Sequence, residues 1–66
     1  MTALEVIQEE LGAVTPETNV RELLDSLELT ELTLQLEAAL RIDISDREMQ
    51  QLSTVGDIVK FAESKQ

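Results

Sequence analysis

Apolar residues recur along the chain at intervals of three and four, the spacing that places them on one face of an α-helix. The clearest set, near the end of the chain, is Val55, Ile58, Val59 and Ala62. A similar set near its start is Leu4, Ile7 and Leu11, followed by Gly12 as a C-terminal stop signal. The pattern predicts a first helix over about residues 3–11 and a last helix over about 55–64.

The middle of the chain carries two apolar stripes on one predicted helix, residues 26–40. At about 100° per residue, the core-facing stripe consists of Leu29, Leu32, Leu36 and Leu40. The opposite stripe, called the outer stripe below, consists of Leu27, Thr30, Leu34 and Ala38 and is bordered by Glu28, Glu31 and Glu37. A small bundle cannot easily bury both stripes. The outer stripe is therefore either an apolar docking surface in an acidic frame or a contact with the connector or the next helix.

Helix starts are indicated by a hydroxyl or Asx residue with an acid three positions later, because each side chain can bond a backbone N–H of the first turn. Pairs of this kind that precede helices are Thr2–Glu5, Asp25–Glu28, Ser45–Glu48 and Thr54–Asp57. They add a short third helix over about 46–51. Residues 13–24 are expected to be a connector, with a turn near Pro16 and with Val20 and Leu23 fastening it to the core. The expected fold is all-α, a small four-helix bundle of three main helices and one short third helix.

Composition supports a small helical domain that is stabilised by packing alone. A chain of 66 residues has room for one core, so residues 1–66 are predicted to form a single domain. Hydrophobic residues make up 42% of the chain and aromatic residues only 2%, which favours Leu-rich helices over strands. The chain has no cysteine and no histidine, so it lacks disulfides and the usual zinc ligands, and no metal site is expected.

The charge of the chain restricts its partners. Fourteen acidic residues against five basic ones give a formal net charge of −9, which repels nucleic acids and anionic lipids alike. No apolar run reaches the ~20 residues of a membrane span, and the start of the chain lacks the features of a signal peptide. We therefore expect a cytoplasmic monomer that binds neither nucleic acid nor membrane.

Ser26 is the main candidate for chemistry, but not as a catalytic nucleophile. A catalytic serine needs a base, and the chain offers no histidine, while its only lysines are Lys60 and Lys65. An enzyme is therefore not expected. At the start of a helix, Ser26 would instead suit a phosphodiester, which the helix dipole stabilises by roughly 0.3–1 kcal/mol. Local features alone favour an ordinary first-turn serine, since Asp25 already serves as the cap.

The sequence around Ser26 resembles that of a known family. Asp25-Ser26-Leu27 is followed by the acid-lined segment 28–32 of the predicted helix. Together they resemble the phosphopantetheine attachment motif of acyl carrier proteins and peptidyl carrier domains. The resemblance runs without a gap from Asp25 to Phe61. It includes Asp43-Ile44 before the short helix, Leu52-Ser53-Thr54-Val55, and the apolar final helix.

The resemblance implies a bundle of the acyl-carrier type and a role for particular residues. Ser26 would receive the phosphopantetheine arm from a phosphopantetheinyl transferase, and the thiol of the arm would hold an acyl or aminoacyl thioester. Acyl-loading and acyl-processing enzymes with basic surfaces would be the other partners. The positions that match docking residues are Asp25, Leu27, Glu28, Glu31, Leu34 and Glu37. Those that match core residues are Leu29, Leu32, Leu36, Leu40, Ile44, Leu52, Val55 and Ile58.

The chain also departs from the usual family pattern, and alternatives remain at this stage. The connector between Gly12 and Asp25 is several residues shorter than usual, and Leu23-Leu24 replaces a frequent Gly-Ala or Gly-Leu. Our interpretation is an acyl carrier protein that holds acyl groups on phosphopantetheine at Ser26. The alternatives are an aminoacyl or peptidyl carrier and, in another class, an acidic helical interaction or regulatory protein that is never modified.

Overall fold

Five helices make up the fold in the computed structural model, which describes residues 2–66; Met1, the first residue of the predicted domain, lies outside the described residues. The helices are α1 (Ala3–Leu11), α2 (Val20–Leu23), α3 (Ser26–Leu40), α4 (Asp46–Gln50) and α5 (Val55–Lys65). Within residues 2–66 there is no strand, only an isolated antiparallel bridge between Asn19 and Thr54. The predicted all-α bundle is therefore confirmed, with three longer helices and the predicted short helix α4.

The capping pairs begin the four predicted helices where the sequence indicated. Both bonds of the capping box form at each of these helices, so that the cap and the acid three positions later satisfy each other's backbone N–H. Helix α1 ends as predicted at Gly12, whose φ of +86° suits a residue without a Cβ. The predicted bounds of α1 and α3 are confirmed at both ends. Helix α4 ends one residue earlier than predicted, at Gln50, and α5 continues one residue further, to Lys65.

The core lies between α1, α3 and α5, with contributions from the connector and the loop before α4. From the core-facing stripe of α3, Leu32, Leu36 and Leu40 are buried as predicted, while Leu29 is only half-buried. Ile44, Val55 and Ile58 are buried as the resemblance implied, and Leu52 is half-buried. In α1 the buried residues are Ala3, Val6 and Ile7, whereas Leu4 and Leu11 pack at the edge of the core.

The connector contains a helix that the sequence analysis did not predict. Helix α2 begins after Asn19, whose side chain accepts hydrogen bonds from the backbone N–H groups of Arg21 and Glu22. Val20 is fully buried, as expected. The prediction for Leu23 was wrong, since 53% of this residue is exposed and Leu24 packs against the core in its place. Helix α2 ends at Leu23, and it is Leu24, with an extended backbone (φ −118°, ψ 145°), whose side chain reaches the core.

Backbone hydrogen bonds fasten the connector to the start of α5. Val20 N–H donates to the carbonyl of Ser53 at 2.9 Å, and Val55 N–H donates to the carbonyl of Thr18 at 2.9 Å. Gly56 N–H donates to the carbonyl of Pro16, and a Cβ at Gly56 would stand only 3.1 Å from that oxygen. The glycine permits this close approach. The segment that leads into Ser26 is thus held in place by the C-terminal helix.

Candidate functional site

Ser26 is the first residue of α3 and its side chain is exposed. Its position is fixed by the residue before it. The Asp25 carboxylate accepts the N–H of Glu28 at 2.8 Å, and the Glu28 carboxylate accepts the N–H of Asp25 at 3.1 Å. The capping box thus begins the helix at Ser26, where the aligned peptide dipoles favour a negatively charged group.

The acids that were predicted to serve docking differ in their surroundings. Asp25, Glu28 and Glu31 are exposed, and the first two also serve as the cap. Glu37 is half-buried, and its Oε2 accepts the backbone N–H of Ile44 at 3.0 Å. Glu37 therefore has an internal task, which is to tie the end of α3 to the loop before α4. A docking role for these four acids stays a prediction.

The outer stripe lies on the surface, as it must if it is a docking surface for a partner. Leu27 is 67% exposed and Leu34 is 57% exposed, while Thr30 and Ala38 are also exposed. Large apolar side chains with this exposure on one face of a helix form the kind of patch that partners cover. The second alternative applies in part, because Leu34 also borders the groove between α3 and α4. The stripe begins at Leu27, directly beside Ser26.

An open groove of about 350 Å³ runs beside Ser26 between α3 and α4. We refer to it as the Ser26 groove. Its apolar surface comes from Leu29, Leu34, Ile44 and Met49. Its polar surface comes from Arg21, Ser26, Thr30, Thr33, Glu37, Asp46 and Gln50. The Thr33 hydroxyl donates to the carbonyl of Leu29 at 2.8 Å, so its hydrogen bond is made within α3.

Arg21 joins the connector to the far wall of the Ser26 groove. Its Nε donates to the carbonyl of Leu52 at 2.8 Å, and one terminal nitrogen donates to the carbonyl of Met49 at 2.6 Å. Both carbonyls lie at or just beyond the end of α4, and that of Met49 also accepts the backbone N–H of Leu52 at 3.1 Å. Arg21 therefore caps α4 from the side and holds Met49 against the groove.

The sequence analysis missed several residues of this site. Arg21 left no signal, because a single arginine in a connector is ordinary. Met49 and Thr33 belong to the groove only because α4 packs beside α3, which neither helix's own pattern reveals. Leu23 was assigned to the core. The spacing gave no warning of its exposure, because residues three apart, such as Val20 and Leu23, also share a helix face.

Within residues 2–66, no group of three or more His, Cys, Asp or Glu side chains is placed to hold a metal ion. None of the helices described is both long enough and apolar enough to cross a membrane.

Comparisons with known proteins match this chain to one family and to acyl carrier proteins. The model of the family described as "Phosphopantetheine attachment site" matches residues 2–62. An acyl carrier protein of Chlamydia caviae is 37% identical over 67 residues, which cover 92% of this chain and 87% of that protein. Acyl carrier proteins of Chlamydia muridarum and Chlamydia trachomatis are 45% identical over 42 residues, or 64% of this chain and 54% of each relative.

Proposed function

Since this chain belongs to the phosphopantetheine attachment family and is an acyl carrier protein, we propose that Ser26 is the residue to which the phosphopantetheine arm is attached. The position of Ser26 carries this proposal. Its hydroxyl is exposed at the first position of a helix of fifteen residues, directly after the cap Asp25. A phosphodiester formed there would face the unpaired N–H groups of the first turn.

The residues around Ser26 fit such a group. When bound, the arm supplies a thiol that holds an acyl group as a thioester, which this cysteine-free chain cannot supply itself. Asp25 and Glu28 hold the start of α3 in place through the capping box, so Ser26 is presented in one orientation. The Ser26 groove begins at the attachment point, and Leu29, Ile44 and Met49 give it apolar contact surface.

We further propose that the chain acts as one carrier domain, residues 1–66, and as a substrate of other enzymes rather than as a catalyst. Histidine is absent from the sequence, and both lysines are in α5, where Lys65 is bonded to Glu48 and to the carbonyl of Asp43. Neither lysine is among the residues that line the Ser26 groove. The expected location is the cytoplasm, where coenzyme A as the donor of the arm is available, and the expected state is a monomer.

The direct experiment is modification with coenzyme A and a broad-specificity phosphopantetheinyl transferase, followed by intact-mass measurement. We expect the wild-type protein to gain the mass of one phosphopantetheine. Ser26→Ala should remain folded, because an exposed hydroxyl contributes little to stability. It should gain no mass, because it lacks the hydroxyl to which the arm is attached. Ser53→Ala is the matched control and should be modified like wild type. An unchanged mass of the wild-type protein, or modification of Ser26→Ala, would refute the assignment.

The proposed partners are the transferase and acyl-loading or acyl-processing enzymes with basic surfaces. The support is the exposed outer stripe next to Ser26, with Asp25, Glu28 and Glu31 exposed beside it. Complementary charge accelerates association, and salt weakens the effect. Glu31→Lys should therefore slow modification by the transferase and flatten its salt dependence. The control is Glu9→Lys on α1, which makes the same change of charge outside the outer stripe.

A further inference from the structure

Two exposed leucines stand on opposite sides of Ser26 in the sequence. Leu23 ends α2 and is 53% exposed, and Leu27 is the second residue of α3 and is 67% exposed. We call them the leucine pair. Single exposed leucines are normal on protein surfaces. Two that flank one exposed hydroxyl, at three residues before it and one after it, indicate a common use.

Leu23 is exposed although the backbone that carries it is held in place by hydrogen bonds. Val20 is fully buried, and its N–H donates to the carbonyl of Ser53 at 2.9 Å. Arg21 bonds the carbonyls of Met49 and Leu52, and Leu24 N–H donates to the carbonyl of Val20 at 2.8 Å. Helix α2 thus presents Leu23 from a fixed backbone, so a partner that covers it orders only one side chain. Such preorganisation lowers the entropic cost of binding.

The Ser26 groove does not account for the leucine pair. Neither Leu23 nor Leu27 is among the residues that line that groove, so the groove gives no reason for their exposure. The polar neighbours of the pair along the chain are Glu22, Asp25 and Glu28, which are all exposed acids. Arg21, the nearest cation in the sequence, directs its guanidinium group to two backbone carbonyls. The surface is therefore apolar within an acidic frame, and the complementary partner is apolar with a basic rim.

We infer that Leu23 extends the docking surface for the phosphopantetheinyl transferase from Leu27 onto α2 and determines how well this enzyme accepts the chain. The inference rests on the proposed function, since it requires that the transferase reach Ser26. An enzyme that brings coenzyme A to the Ser26 hydroxyl covers the chain on both sides of this residue. Docking then extends beyond the outer stripe of α3 onto α2, and the enzyme holds Ser26 between two apolar contacts.

The test measures kcat and KM for modification by the transferase with coenzyme A. Leu23→Gln should lower kcat/KM about tenfold through KM, because a docking contact contributes equally before and during the reaction. Leu23→Met should lose much less, since it restores an apolar side chain of similar size. The control is Ala39→Gln, which adds the same amide at an exposed position of α3. It lies thirteen residues after Ser26 and hence about 20 Å along the helix axis.

Each outcome is decisive for the leucine pair. If Leu23→Gln keeps the kcat/KM of the wild-type protein, or if it unfolds in urea where Ala39→Gln does not, the inference is wrong. Self-association of the wild-type protein that Leu23→Gln abolishes would assign the surface to a second copy and also overturn it. Failure of the proposed function is a different result, because the wild-type protein would then gain no mass under any of these conditions.

Discussion

Asp25 shows how one carboxylate places Ser26, the proposed attachment residue. Its bond to the N–H of Glu28, at 2.8 Å, fixes the first turn of α3, and the helix then begins at the next residue, Ser26. Leu27 follows with most of its surface exposed. Under the proposed function the three residues of the motif have separate tasks: Asp25 orients, Ser26 is presented for modification, and Leu27 offers apolar surface beside it.

Arg21 is the residue whose loss should loosen the far wall of the Ser26 groove. Arg21→Met keeps the apolar stem but removes the hydrogen bonds to the carbonyls of Met49 and Leu52. Bonds from charged donors are stronger than neutral ones, although solvent weakens exposed ones. We expect a loss of about 1–2 kcal/mol in the free energy of unfolding, measured by urea denaturation, and faster amide hydrogen exchange in α4.

The control for this prediction is Arg47→Met, which removes the same charge from the exposed surface of α4 itself. It should change stability by no more than about half a kcal/mol. Equal effects of the two substitutions would show that net charge, rather than the carbonyl bonds of Arg21, is responsible.

The capping box of α4, in which Glu48 takes part, should make the stability of the fold depend on pH. The hydrogen bond from the backbone N–H of Ser45, followed by the bond from Lys65, holds the pKa of Glu48 below its ordinary value of 4.5. Because the folded pKa is lower than the unfolded one, the charged carboxylate stabilises the fold above the unfolded pKa. This contribution is lost as the pH falls through the folded pKa. The stability advantage of wild type over Glu48→Gln should therefore be full near neutral pH and disappear below pH 4.5.

Urea denaturation of both proteins across this pH range provides the measurement. Glu9→Gln removes the same charge from an exposed position of α1 that caps no helix, and so corrects for the change in net charge. An advantage of wild type over Glu48→Gln that stays constant down to strongly acidic pH would contradict the proposed cause.

At the scale of the helices, the two faces of α3 should respond to substitution in opposite ways. Leu36 is fully buried, so Leu36→Ala leaves a cavity and should lower the free energy of unfolding by about 2–5 kcal/mol. Leu34 is 57% exposed, so Leu34→Gln should shift it by only about half a kcal/mol. Leu34→Gln should instead lower the rate of modification by the transferase.

Chemical denaturation and modification kinetics on the same samples separate these effects. If Leu34→Gln proved as destabilising as Leu36→Ala, the outer stripe would be part of the core and could not be a docking surface. If Leu34→Gln were both stable and modified at the wild-type rate, the stripe would be exposed without a role in this reaction.

The helices also show how far the sequence could be interpreted. Each of the predicted starts depends on contacts within four residues, and the capping boxes make those contacts visible in the sequence. Helix α2 has four residues, too few for a periodic pattern, yet Asn19 and Glu22 have the same spacing as the other capping pairs. That pair was the available signal for α2. The Ser26 groove could not be predicted, because it depends on how α4 packs beside α3.

At the scale of the whole molecule, charge repulsion acts over the entire bundle. The net charge is −9, and among the residues that the structure describes the one ion pair within 4.0 Å joins Lys65 to Glu48 at 2.9 Å. The described fold measures 25 × 23 × 17 Å. At about 0.01 M salt the Debye length is roughly 30 Å, so every acid repels every other across the molecule. At about 0.15 M it is roughly 8 Å, and only neighbouring acids interact.

Raising the ionic strength should therefore raise the melting temperature, by about 4–8 °C for each kcal/mol of repulsion that is screened. Magnesium should act more strongly than sodium at equal ionic strength, since a divalent cation screens clustered carboxylates better. The matched variant is Glu9→Gln with Glu10→Gln, which removes two exposed acids of α1 that cap no helix. It should melt higher than wild type at low salt and gain less from added salt. A melting temperature that salt leaves unchanged in both proteins would mean that the acids, despite their number, lie too far apart to destabilise the fold.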